Sequence, residues 1–190
     1  MRHAFSRWET SEVSVTAPAA SEIIDEFRRC AGAFTTGVTV VTACDGPARA
    51  GMTLNSFTSV SLEPLLVCVA LARGTRTLEI LRRDGQFGIS VLHAGQRDVA
   101  RAFARPGAPF PDELTECFVD GCVLVSDALA TLRCDLYKLI EVGDHELAVG
   151  RVLDFQHVPG EPLVFHRGQF GGLDHALASL ARRSRARRPQ

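Results

Sequence analysis

The chain lacks the motifs of several common enzyme classes. GxGxxG after a strand, GxxxxGK[ST], GxSxG and HExxH are all missing. These absences argue against a Rossmann dinucleotide fold, a P-loop nucleotidase, a nucleophile-elbow hydrolase and a zincin. No apolar run approaches the roughly 20 residues of a membrane span. No signal peptide opens the chain, so a cytoplasmic location is expected. The six cysteines, Cys30, Cys44, Cys68, Cys117, Cys122 and Cys134, never fall at CxxC spacing. Cys68 and Cys134 lie in apolar strand-like runs, where a thiol acts as a small hydrophobe, and all six read as reduced thiols. None of the histidines (His3, His93, His145, His157, His166, His175) forms a metal-ligand spacing with a cysteine or a second histidine, so no metal is expected. A net charge of -1 removes the electrostatic case for nucleic acid or membrane binding by the chain as a whole. The local exception is "ARRSRARRPQ", either a solvated tail or a contact for a partner or anionic ligand.

What is present fits one globular domain: 190 residues, 46% hydrophobic and 23% charged. Residues 1–20 are expected to be flexible, residues 21–173 to form the domain, and residues 174–190 to be a basic tail. "SEIIDEFRRCAGAF" reads as a helix with Ser21 as N-cap, Ile23, Ile24, Phe27 and Cys30 at helical spacing, and Gly32 at its end. Strand-like runs dominate the rest. "TTGVTVVTAC" is β-branched, "PLLVCVALA" reads as a strand buried on both faces, and "GQFGISVL" is a shorter strand. "QRDVARAFA" reads as a second, surface helix, and the proline-rich "RPGAPFPDEL" as a loop. In residues 132–142 the alternation puts Leu132, Cys134, Leu136, Ile140 and Val142 on one face. After a turn at Gly143–Asp144, Leu147, Val149, Leu153 and Phe155 share a face of the returning strand. Strands at short spacing with few helices predict a mainly β, antiparallel barrel and argue against a parallel sheet.

The segment "GMTLNSFTSVS" is dense in Thr, Ser and Asn between two apolar runs. Singly, each reads as a turn residue. Together they make a row of hydrogen-bond donors and acceptors suited to a polar ligand.

Four stretches, in order, resemble the short-chain flavin reductase family: "FRRCAGAFTTGVTVVTA", "GMTLNSFTSVSLEPLLVCVAL", "GDHELAVGRV" and "PLVFHRGQFGGL". The likeness covers roughly residues 25–172. It implies a split β-barrel of Greek-key type with a few flanking helices. It also implies hydride transfer from NADH or NADPH to FMN or FAD, a separate oxygenase that receives the reduced flavin, and a homodimer. On this resemblance Thr36, Gly37, Val38, Thr53, Leu54, Asn55 and Ser56 meet the flavin ring and ribityl chain. Ser59, Val60, Ser61, Arg73, Thr75 and Arg76 lie toward its phosphate. His145 and His166 serve the nicotinamide, with Arg167 and Phe170 as further contacts. Arg151 stands where the family often has an acid, and Phe165 and Phe170 where a tyrosine is common. The hydride chemistry belongs to the two cofactors, which accounts for the absence of a triad or carboxylate pair. Two alternatives remain: a non-catalytic flavin-binding or electron-transfer module on the same barrel, and a nucleic-acid contact made by the arginine tail.

Overall fold

The computed structural model describes residues 20–117 and 122–173. The expected flexible N-terminus and basic tail lie outside the described residues, Ala20 apart. Helix α1 (Ala20–Ala31) starts one residue before the expected cap. It ends where the Gly32 N–H donates to the Arg28 carbonyl at 2.8 Å. Then follow β1 (Thr36–Gly37), β2 (Thr39–Asp45), β3 (Ala48–Leu54), β4 (Thr58–Leu62) and β5 (Leu65–Ala72). Helix α2 (Arg76–Asp84), β6 (Gln86–Val91) and α3 (Arg97–Phe103) come next. The chain continues with a 3-10 turn at Asp112–Leu114, β7 (Thr115–Cys117), β8 (Val123–Val125) and the long hairpin β9 (Ala130–Val142) and β10 (His145–His157). It closes with β11 (Val164–His166) and β12 (Gln169–Gly171).

Seven strands form one antiparallel sheet in the order β3-β2-β6-β9-β10-β5-β4. Its two edges, β3 and β4, are consecutive in the chain and joined only by residues 55–57. Six strand spacings would hold the edges of a flat sheet about 29 Å apart. The four Cα steps from Leu54 to Thr58 reach at most about 14 Å. The sheet therefore curls until its edges approach, and it stays unpaired between β3 and β4. This is the expected split barrel. The barrel interior holds Val41, Val69, Leu71, Ile80, Leu81, Phe87 and Ile89, all essentially inaccessible. A second apolar cluster of Val38, Val40, Leu92, Ala100, Phe103 and Leu163 packs α3 against β2 and the small sheet β1-β11-β12.

Four local readings change. Helix α2 was not expected; its buried Leu78, Ile80 and Leu81 close the barrel, and Gly85 ends it at φ 79°. Strand β5 buries alternate residues, Val67, Val69 and Leu71, not both faces, because only one side of this antiparallel sheet faces the interior. In β9 the partners step from Gly150↔Leu136 to Val149↔Lys138, so Tyr137 is an inserted residue. One bulge reverses the parity beyond it. Leu139 then packs on the core, and Ile140 and Val142 are exposed. On β10 the buried residues are Glu146, Ala148 and Gly150; Leu147 and Val149 are half-buried, and Leu153 and Phe155 are exposed. Gly150 is required here, because a Cβ would collide with the Phe87 ring. On α1, Ile23, Ile24 and Phe27 are exposed, so the amphipathic side of this helix has no cover among the described residues.

Candidate functional site

Three of the expected residues converge on one cleft of about 520 Å³. It lies between β3, the start of α2, the end of α3 and the loop that follows. Thr53 reaches it from β3, with its hydroxyl donating to the Ala100 carbonyl of α3 at 2.7 Å. Thr75 precedes α2 and donates to the Ala72 carbonyl at 2.9 Å, closing the 72–75 loop. The Thr75 side chain makes no capping bond to α2. The helix's first N–H groups are thus available to an anion at the cleft edge. Arg76 lines the cleft and has no carboxylate partner among the described residues. Arg49 lines it too, paired with Asp112, and that bond raises the guanidinium pKa still further. Arg105, Met52, Phe103 and Phe110 complete the walls. Sequence reasoning missed Arg49, Arg105, Phe103 and Phe110. They come from segments read as a turn, a helix face and a loop, and only the fold brings them together.

A second group surrounds the small sheet. Thr36 pairs with Phe165 and Gly37 with Val164. Val38 is buried in the second core cluster. Thr36 Oγ1 is buried with no hydrogen-bond partner among the described residues. His166 Nδ1 lies 2.8 Å from Thr35 Oγ1, and the Arg167 N–H donates to the Gly32 carbonyl at 2.9 Å, so the segment leading into β1 is tied to the end of β11 and the turn after it. Arg167 and Gly168 take positive φ, 50° and 80°, as a two-residue type I′ hairpin turn requires. Phe170 packs on Phe165 at a ring distance of 5.3 Å and on the second core cluster. Its aromatic face is therefore half committed to packing.

The third group is the β9–β10 hairpin and the loop beside it. His145 opens β10 opposite Ala72 of β5. Its Nδ1 lies 2.7 Å from Asp144 Oδ1, and that hydrogen bond holds the Asp144 carboxyl below its usual range. The Arg73 N–H donates to the Asp144 carbonyl at 3.0 Å, and its guanidinium binds Glu141. Arg73 thus latches the loop to the hairpin, and of the two arginines in the 73–76 loop Arg76 is the one that lines the cleft. His145 and His166 stand on different sheets and share no hydrogen bond.

The last group follows the split. The Leu54 carbonyl accepts from Thr39 at 3.1 Å. Asn55 is exposed in the connection. Ser56 Oγ accepts from the Ala70 N–H at 3.0 Å and donates to the Ala70 carbonyl at 3.1 Å. Ser59 and Val60 are exposed, with a bulge at Val60, and the Ser61 hydroxyl accepts from the Glu63 N–H at 3.3 Å.

A comparison with known families matches residues 27–174 to the flavin reductase like domain. The chain belongs to this flavin reductase family. An Agrobacterium fabrum relative named FMN reductase (NADH) SmoA is 41% identical over 145 residues, 76% of this chain and 83% of its own. A Rhizobium meliloti relative, named "Probable flavin reductase", is 42% identical over 154 residues, 79% of this chain; the chain spans half of that protein's length. Among solved structures, BorF, the flavin reductase component of a bacterial two-component tryptophan halogenase, superposes with a TM-score of 0.74 at 36% identity. That likeness covers 79% of this chain and 98% of BorF.

The residues present suit the family's cofactor. A flavin joins a flat apolar ring to a polar phosphate chain, so it needs packing surface and hydrogen bonds in one place. The cleft supplies Met52, Phe103 and Phe110 for packing, with Thr53, Thr75 and Arg76 on its polar side. Thr36, whose buried hydroxyl has no partner among the described residues, stands on the small sheet and does not line this cleft.

Proposed function

We propose that the chain is a NAD(P)H-dependent flavin reductase of FMN or FAD, with residues 21–173 as its reductase domain, supplying reduced flavin to a separate oxygenase. The carrying observation is the convergence of Thr53, Thr75 and Arg76, which has no carboxylate partner among the described residues, on one cleft walled by Phe103 and Phe110. When bound, the flavin supplies an electron-accepting ring and the nicotinamide a hydride donor. The protein's part is to hold, align and shield them. Arg76 and the first N–H groups of α2 hold the phosphate by charge and dipole. Thr36, Gly37 and Val38, with the 53–56 segment, border the ring. Ser59, Val60 and Ser61 flank the split. His145, fixed in orientation by Asp144, and His166, fixed by Thr35, orient the nicotinamide. Arg167 and Phe170 stand beside His166.

The named activities of SmoA and BorF support the reading of cofactors and of a two-component partner. A homodimer accords with the exposed Ile23 and Phe27 of α1 and with Ile140, Val142 and Phe155 on the long hairpin. Light scattering on the purified chain measures it directly.

The deciding experiment is anaerobic. The protein is mixed with NADH, and separately NADPH, plus excess FMN or FAD, and the loss of the flavin's visible absorbance is followed. Catalytic bleaching of free flavin is the expected result, and it identifies both cofactor preferences. Bleaching of a stoichiometric bound flavin only, or of none, would support the non-catalytic module instead.

A further inference from the structure

We infer that Glu146 is a positioning residue that sets the arginines of the 73–76 loop and α2 relative to His145, and so decides how well the site discriminates for a flavin phosphate. The inference rests on the flavin reductase reading above. Glu146 is the second residue of β10 and is 2% exposed, the one carboxylate among the buried side chains of the described residues. It points into the mouth of the barrel, in phase with Ala148 and Gly150. Its cross-strand partner on β9 is Glu141. Two acids directly opposed repel, and a buried carboxylate costs free energy unless it is paired.

The compensation comes from two arginines on different elements. Arg82, near the end of α2, hydrogen-bonds Glu146. Arg73 sits between the acids, bonded to Glu141 and with its Nε 3.7 Å from Glu146. Its N–H also binds the Asp144 carbonyl of the hairpin turn. One buried carboxylate therefore holds three things in register: the strand that begins with His145, the loop that ends at Thr75, and the helix whose first residue is Arg76. A buried ion pair adds little net stability over an apolar packing of equal volume, but it fixes geometry. What it fixes here is where Arg76 stands at the cleft. Glu146, Arg82 and Arg73 do not line the cleft, so the network acts on it through Thr75 and Arg76, the residues assigned to the phosphate.

The test compares FMN with riboflavin, which carries the same ring and no phosphate. The full chain is titrated with each, without nicotinamide, by quenching of flavin fluorescence. Glu146→Gln keeps the volume and removes the charge. Its Kd for FMN is expected to rise about tenfold and its Kd for riboflavin to change by less than about twofold. Arg82→Gln, at a half-exposed side chain, is the second variant should the first fold poorly. It shifts the same ratio in the same direction, and the double variant is no worse than the more affected single. Equal weakening of both ligands, or an unchanged FMN Kd in a variant with native circular dichroism, overturns the positioning role. If the unsubstituted chain neither binds flavin nor bleaches it with nicotinamide, the underlying reductase reading falls, and this inference with it.

Discussion

The Ser56 hydroxyl occupies the place of a strand residue opposite Ala70, accepting from its N–H and donating to its carbonyl. The β4–β5 ladder proper begins two residues later, at Thr58↔Cys68. Ser56 thus continues the β4–β5 pairing past the end of β4 and pins the connection between β3 and β4.

Ser56→Ala removes both bonds and leaves the Ala70 groups to water. A loss of about 1 kcal/mol in unfolding free energy is expected, read by denaturant titration. Faster amide exchange at Ala70 locates the effect. Unchanged exchange there would show that the hydroxyl does not hold the edge.

Gly150→Ala drives a methyl into Phe87. Overpacking at a closed site costs about 1–3 kcal/mol, which lowers Tm by several degrees. Adding Phe87→Leu should recover part of the loss, because the ring is the obstacle; additive losses would contradict the contact.

Arg76→Gln is expected to weaken FMN on the order of tenfold and to leave the midpoint of unfolding within a degree or two, since the side chain is exposed. Arg73→Gln differs in kind. It breaks the latch to Glu141 and Glu146, so it costs stability as well as affinity.

His145→Ala and His166→Ala are each expected to raise KM for the reduced nicotinamide on the order of tenfold, with a smaller effect on KM for flavin. Steady-state kinetics with each substrate varied in turn separates the two. Unchanged kinetics in both variants would remove the nicotinamide from this side of the barrel.

Burial pushes the Cys122 and Cys134 thiols up to about 12. A raised folded pKa favours the neutral form, so the contribution to stability is complete below the unfolded thiol value of about 8.5 and is lost as pH rises through the folded values. Denaturant midpoints should therefore fall between about pH 9 and 12, and Cys134→Val should flatten that fall. An aromatic disulfide reagent at neutral pH should modify the exposed Cys30 and Cys117 first. Early modification of Cys134 would contradict its burial.

The family segments were legible because they are local. The Gly143–Asp144 turn and the polar run after Gly51 each state their chemistry within a few residues. Helix α2 was not legible, because the short apolar set Leu78, Ile80 and Leu81 carries little periodicity by itself. The phase of β9 was hidden for a different reason. An inserted Tyr137 leaves no mark on composition, yet it reverses every side chain beyond it.

The sequence by itself determined the class: a mainly antiparallel β-barrel, the motifs of a flavin reductase, and the turns that build them. Backbone propensity and hydrogen-bonding chemistry act over a few residues, so they can be read in order along the chain. The tertiary structure alone decided which arginines line the cleft, which are spent on Glu141 and Glu146, and which thiols are shielded. Charge pairing and burial depend on distances between residues far apart in the chain, and those distances exist only once the sheet has curled.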